Sequence, residues 1–327
     1  MYDKKMAMFY ILNILKEYSD RNHLLKQKDI IDKLHNIYMI DIERKTIAST
    51  LELLSELGYD IYKDSKGYCL DEREFDETEI KFLIDAIYSS KIISGEQAKE
   101  LSKKIYSTLS KYEQKDYSYI NKSTEIARTT NKDFFYNIDI ITEAIKTKKK
   151  ITFKYLIYNN KGKLVERRDG YTYKVSPYFL VNNFGKYYLI CNLNHHEDHS
   201  NFRLDYISNI ELTNENIDSI SNVTTLGKNF NITKHINDHV YMFGGNIITA
   251  KILIKKDYAI TYIYDWFGSN ATLKSEDDKL YAYIKTDDRA FLYWSLQYCE
   301  EFKVIEPEYL KNKVIEHAKE ILNDYEE

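Results

Sequence analysis

Two prolines and ten glycines in 327 residues are far too few for a low-complexity or collagen-like chain. Cysteine is nearly as scarce. Cys69, Cys191 and Cys299 are odd in number and far apart, which excludes a disulfide framework and supplies no metal-ligand spacing, so a reducing, cytoplasmic setting is expected. No apolar run approaches the ~20 residues of a membrane span. The stretch MYDKKMAMFYILNILKEYSD carries charges throughout and lacks a small-residue cleavage site, so it predicts an amphipathic helix rather than a leader. A global excess of positive charge is missing as well, the net charge being −4. No glycine-rich phosphate loop precedes a helix, and no Ser–His–Asp or Cys–His arrangement is found. The chain is therefore expected not to be an enzyme and to need no cofactor.

What is present is a folded composition, 43% hydrophobic and 30% charged, with 31 tyrosines. The length allows two or three domains. Charge is unevenly spread: residues 1–70 hold 11 basic and 11 acidic side chains, 137–213 hold 12 and 8, and 240–327 hold 11 and 16. The middle segment is the basic one.

Along the first 72 residues, Met8, Ile11, Leu12 and Leu15 mark one helix. Ile30, Ile31 and Leu34 mark a second from about Gln27 to Ile37, and Ile47, Leu51 and Leu54 a third, with Asp41 as its expected N-cap and Gly58 closing it. YDIYKDSKGYCL then predicts a small hairpin. Three helices and a hairpin are the order of a winged helix-turn-helix. Arg44, Lys45, Thr46 and Ser49 would meet DNA from the third helix; Lys26, Lys28, Lys63 and Lys66 would clamp the backbone. A small helical domain with ordinary solvated charges is the competing reading.

Residues 73–136 form a helical connector, in which 113–134 lack a clear period and read as an exposed link. The helix NIDIITEAIKTKKK opens the segment 137–215, where KITFKYLIY, the NNKGK turn and LVERRDGYTYKVSPYFLVNNFGKYYLICNLN supply several short antiparallel strands, the makings of a small β-barrel. A linker (216–239) leads to an acidic α+β segment (240–327), predicted to run strand, helix, strand, strand, helix, strand, helix. The fold class is thus a multidomain α+β chain.

The run YKVSPYFLVNNFGKYYLICNLN followed by NFRLDYISNIEL resembles a WYL domain, with Tyr187-Tyr188-Leu189 in place of Trp-Tyr-Leu. RKTIASTLELLSELGYDI is similar to the helix-turn-helix such proteins carry, and the region from HVYMFGGNIITAKILIKK to EFKVIEPEYLKNKVIEHAKEIL is similar to their C-terminal extension. The resemblance implies an Sm-like (SH3-like) barrel that senses an anionic or nucleic-acid-like ligand, in a transcriptional regulator of bacteria. Two departures stand out: Tyr206 sits where relatives often have an arginine, and Ala48 and Ser49 where they often have basic residues.

The barrel residues suit that chemistry. Arg203 offers a bidentate fork, oriented by Asp205. Tyr155, Tyr173 and Tyr188 offer ring faces and hydroxyls. Ser176 is a small donor, Arg167 and Arg168 would line the mouth, and Lys186 its rim. Competing readings are an internal Arg203–Asp205 ion pair, tyrosines that merely pack, and Ser176-Pro177 as a strand bend. Tyr187 is expected to pack on one face of its strand and Tyr188 to share the other with Arg203 and Ser176. NHHEDHS, with His195, His196, Glu197, Asp198 and His199, reads as a solvated hairpin loop rather than a metal site.

The expected function is a ligand-responsive regulator binding double-stranded operator DNA as a homodimer. The alternative is an accessory protein of a phage-defence system that binds single-stranded nucleic acid or an RNA effector through the barrel. A metal-assisted hydrolase using His195 and His199 is the third and weakest reading. No membrane partner is expected.

Overall fold

The computed structural model describes residues 6–116, 128–193, 196–227 and 230–326. The chain divides into two compact units, 1–132 and 133–327.

In the first unit α1 (Ala7–Tyr18), α2 (Gln27–Tyr38) and α3 (Arg44–Glu56) precede a hairpin of β1 (Ile61–Lys63) and β2 (Tyr68–Leu70), then α4 (Glu77–Ser89), α5 (Gly95–Tyr106) and the short α6 (Glu113–Asp116). The apolar stripes meet in one core of Ile11, Leu15, Ile30, Leu34, Ile47, Leu51, Leu54 and Leu70. Asp41 does not cap α3. Its carboxylate bonds His35 Nδ1 at 2.7 Å, and the cap position falls to Glu43. The connection is set by Met39 instead, whose left-handed φ of 56° ends α2. Gly67 has its own geometric reason: a Cβ there would lie 2.6 Å from the Leu25 carbonyl oxygen. That close approach lets Leu25 and Tyr68 exchange both backbone hydrogen bonds, at 2.8 and 2.9 Å.

The segment 113–134 is not uniformly an exposed link. Residues 117–127 lie outside those described, α6 occupies its start, and Thr129 and Asn131 are buried. Arg128 donates to the carbonyls of Ser90 (2.6 Å) and Tyr88 (2.5 Å), which pins this end against α4. Arg73 does similar work at the other end of the connector. Its guanidinium donates to the carbonyls of Lys16 (3.0 Å), Ser19 (2.6 Å) and Thr108 (3.2 Å) and lies 3.6 Å from Glu113.

The second unit begins with α7 (Phe134–Thr147). Its sheet comprises β3 (Lys149–Tyr158), β4 (Leu164–Glu166), β5 (Thr172–Asn183), β6 (Lys186–Leu193), β7 (His199–Arg203) and β8 (Ile207–Asn216). The order is β4-β3-β5-β6-β7, with β8 also on β3, and every pairing is antiparallel. Pro177 has no N–H to give a ladder, and the register shifts between Pro177 and Phe179. Tyr187 stands edge-on to Phe134 of α7 with ring centres 5.5 Å apart. Tyr188 enters a different cluster, with Tyr178, Val181, Ile190, Val223, Leu226 and Met242.

That second cluster is roofed by the chain after β8, which includes α8 (Ile232–Asp238). Asp218 fastens the roof. It lies 2.9 Å from Lys150 Nζ, accepts from Ser176 Oγ at 3.0 Å, and its main chain bonds Ser176 and Tyr178. Beyond it β9 (Ile247–Ile254), α9 (Ile260–Phe267), β10 (Ala271–Glu276), β11 (Lys279–Asp287), α10 (Asp288–Gln297), β12 (Phe302–Glu306) and α11 (Glu308–Glu326) form a sheet of order β10-β11-β9-β12 with helices around a core of Ile252, Ile284, Phe291, Trp294 and Phe302.

Arg73→Ala should destabilise the protein by about 3 kcal/mol, because it strips donors from three main-chain carbonyls and leaves Glu113 without its partly buried partner. Equilibrium urea unfolding of the full chain measures this; a change under ~0.5 kcal/mol would refute the assigned role.

Candidate functional site

The cationic residues expected to meet DNA all lie on the first unit. Arg44 and Lys45 occupy the first turn of α3 and are exposed, and its buried stripe of Ile47, Leu51 and Leu54 points inward. Ser49 is exposed and bonds the Thr46 carbonyl at 3.1 Å, while Thr46 is half-buried. Glu52 and Glu56 follow on the exposed side, so positive charge is confined to the N-terminal end of the helix. Lys26 precedes α2, with its N–H on the Asp29 carboxylate (2.8 Å), and Lys28 is exposed in the first turn. Lys63 lies over the Tyr68 ring at 5.5 Å, and Lys66 sits at the hairpin tip, its N–H bonded to Asp64 at 2.6 Å.

The residues expected to hold a ligand separate into two groups. The first centres on Arg203 at the end of β7. Its Nε and Nη2 fork the Asp205 carboxylate at 3.1 and 2.5 Å, and its guanidinium lies 4.4 Å over the Tyr206 ring. Burial works against the arginine's charge, but the Asp205 bonds outweigh it and hold the pKa above its ordinary value. Arg203 N–H donates to the Tyr155 hydroxyl at 3.2 Å, and burial pushes Tyr155 up to about 12. Tyr188 lies directly across the β6–β7 register from Arg203. It is 8% exposed, and burial raises its phenol as well. Arg203 Nη1 makes no bond among the described residues, so one edge of the fork remains for an anion.

The second group lines a cleft of about 400 Å³: Arg167, Arg168 and Tyr173 together with His196, His199, Ser200 and Asn201. Arg168 and Asp169 take left-handed φ values of 53° and 52°, a turn that presents both arginines to solvent. Neither arginine has a carboxylate partner among the described residues. The Tyr173 hydroxyl and Asn201 Oδ1 are buried there with no hydrogen-bond partner among the described residues.

Ser176 joins neither group. It is fully buried, and its hydroxyl is committed to Asp218. The register does set it on the Tyr188 side of the sheet, opposite Asn192, but the roof covers that position. Lys186 is exposed on the β5–β6 hairpin, opposite Asn183. Sequence reasoning passed over His199 as part of a polar loop, and His195 of that loop lies outside the described residues. His199 in fact packs with His235 (ring centres 4.9 Å) and His239 (6.2 Å), the latter two being 4.1 Å apart. Its partners lie 36 and 40 positions downstream, so no local pattern could have signalled it. No group of three or more His, Cys, Asp or Glu among the described residues is arranged to hold a metal. Among them, too, no helix is long and apolar enough to cross a membrane.

A helix laid on an antiparallel sheet, with an arginine–carboxylate fork and an arginine-lined cleft, makes up the β-rich part of the second unit. Residues 136–212 match the family model described as WYL domain. No curated protein matches it. Among solved structures it is similar to proteasome accessory factor B/C (PafBC) of Arthrobacter aurescens, at 15% identity and a TM-score of 0.30, over 95% of this chain and 47% of that one. The chain thus spans about half the length of that structure. It is also similar to a protein described as CRISPR Cas-related, at 14% identity and a TM-score of 0.37, over 98% of this chain and 85% of that one.

The histidine cluster has a pH consequence. Burial, then repulsion from His239, pushes His199 down to about 4, and burial with its two neighbours takes His235 to about 3. Asp198 opposes the shift at His199, and Asp287 faces His239. In the unfolded chain both groups take up protons below ~6.5, whereas the folded ones resist until about 4 or lower. Stability is therefore complete above pH 6.5 and falls as pH drops towards 4, and His235→Gln should flatten that slope in a series of thermal melts. Arg203→Ala should cost about 3 kcal/mol by leaving Asp205, 4% exposed, without its fork; adding Asp205→Asn should recover much of the loss in urea titrations.

Proposed function

We propose that the protein is a ligand-responsive transcriptional regulator that binds duplex DNA and does not act as an enzyme. The observation that carries this reading is the exposed Arg44–Lys45 pair on the first turn of α3, in a chain that also carries a WYL domain. In this reading α1, α2 and α3 form a helix-turn-helix with α3 entering the major groove, and the β1–β2 hairpin is the wing. Lys26, Lys28, Lys63 and Lys66 bind phosphates. The strands of residues 149–216 form the Sm-like barrel, where the free edge of Arg203, with Arg167 and Arg168 at the cleft, attracts an anionic ligand. Ligand and operator then influence each other's affinity reciprocally.

One observation favours a second reading, that of an accessory single-strand nucleic-acid-binding protein. Tyr158 and Tyr171 are about half exposed, and Arg167 and Arg168 lie between them in sequence. Rings for stacking beside cations are what single strands require.

The two readings separate in one experiment. Genome-wide mapping of bound DNA, followed by fluorescence anisotropy on the recovered duplexes, should give discrete sites. The double variant Arg44→Ala/Lys45→Ala should weaken binding and lower the slope of log K against log salt by about 1–2, roughly 0.9 per phosphate contact. An absence of discrete duplex sites, with single-strand binding abolished by Arg167→Ala/Arg168→Ala, would replace the first reading by the second.

A further inference from the structure

Past the roof the chain runs β9-α9-β10-β11-α10-β12, and the sheet order β10-β11-β9-β12 puts β9 and β11 in the centre, with every pair antiparallel. Side chains alternate along these strands. Ala250, Ile252, Ala282 and Ile284 are buried in the core shared with α9 and α10. The residues between them point the other way, off the opposite face of the sheet. Register sets them in two rows: Thr272, Tyr283 and Lys251 in one, and Lys274, Tyr281, Leu253 and Lys303 in the other. Thr272, Lys274 and Lys303 are exposed, and the two tyrosines are half-buried. Tyr281 and Tyr283 stand on the same face of a central strand, about 6.8 Å apart at ~3.4 Å per residue.

This face reverses the charge of its segment. Residues 240–327 hold 11 basic and 16 acidic side chains, yet the face sets Lys251, Lys274, Lys279 and Lys303 against Glu276 and Glu306. Lys285, at one end, is held by Asp238 at 3.3 Å. Cations and rings already touch. Lys251 Nζ lies 4.4 Å from the Tyr281 ring centre and 5.3 Å from that of Tyr283, and Lys274 Nζ lies 4.8 Å from Tyr283. Lys251 and the Tyr283 hydroxyl both donate to Glu276, at 2.5 and 2.6 Å, whereas Lys274 and Lys303 have no carboxylate partner among the described residues.

We propose that this open sheet face binds single-stranded nucleic acid, with bases stacked on Tyr281 and Tyr283 and phosphates on Lys274 and Lys303. Two features select that occupant. Paired rings on a central strand of a four-stranded sheet give successive bases a flat support that tolerates any sequence. The flanking cations suit a polyanionic backbone, whereas a second copy of this chain on the same face would set lysines against lysines. A base that enters beside a ring displaces an ammonium, which is then free to meet the accompanying phosphate. The face shares no residue with the Arg167–Arg168 cleft and needs neither reading of the chain's function.

The test is fluorescence anisotropy on the full chain carrying Arg167→Ala/Arg168→Ala, which removes the cations of the cleft, with short labelled oligo-U and oligo-dT. At least one strand should bind, and the tighter of the two names the sugar. Adding Tyr281→Ala or Tyr283→Ala should each weaken binding about 10-fold, as losing one stacked base does. Adding Lys274→Glu/Lys303→Glu, at exposed positions outside the core, should weaken it at least as much and lower the slope of log K against log salt by about 1.4, roughly 0.7 per phosphate. Far-ultraviolet circular dichroism should stay native in the lysine variant, so the test survives a tyrosine variant that fails to fold. Photocross-linking with 4-thiouridine in oligo-U should label the peptide that contains Tyr281 and Tyr283. Three results would each overturn the proposal: no binding by the cleft variant, binding indifferent to the lysine changes, or an abasic deoxyribose-phosphate strand bound as tightly as oligo-dT.

Discussion

Successive residues of a strand face opposite ways, and the adjacent rings of Tyr187 and Tyr188 turn that geometric rule into an architectural demand. A sheet with one wet face could bury only one of them. Here both sides are covered: α7 meets Tyr187 through Phe134, and the chain after β8 roofs Tyr188 with Val223, Leu226 and Met242. The roof in turn needs a fastening, and Asp218 supplies it by engaging Lys150, Ser176 and Tyr178 together. Much of the second unit follows from that demand. The serine that looked free to meet an anion is spent on holding the cover in place.

The same logic governs the positive charge of the middle segment. Its surplus of basic residues suggests a broad cationic surface, but four of its twelve cations are paired with carboxylates. Lys150 meets Asp218, Lys154 meets Glu166, Lys174 meets Glu215, and Arg203 meets Asp205. Arg167 and Arg168, raised on a left-handed turn, are left to act outward. A net count over a segment therefore says little about available charge. Pairing across strands decides it.

Periodicity made most of the element order legible. The apolar spacing of Met8 to Leu15 and of Ile47 to Leu54 marked helices that are present, and the seven elements of the C-terminal segment occur in the expected order. Boundaries were less legible where a non-glycine residue takes a left-handed conformation: Met39 ends α2, and Asp41 yields the cap to Glu43, because nothing in a methionine advertises positive φ. The candidate site was legible residue by residue but not as a constellation. Arg203 and Asp205 are two positions apart and find each other locally, whereas His199, His235 and His239 meet only because the roof folds back onto β7. Long-range closure of that kind leaves no trace in local spacing.

Arg73 has a consequence of a mechanical kind. A single planar group bonded to the end of α1, to the carbonyl after α5 and to Glu113 makes the three-helix head and its connector one stiff body. Amide protons in α1 and α5 should then exchange with solvent at a common rate set by one opening event, as within a single cooperative unit. A push delivered to the connector would move the head as a lever arm rather than soften it.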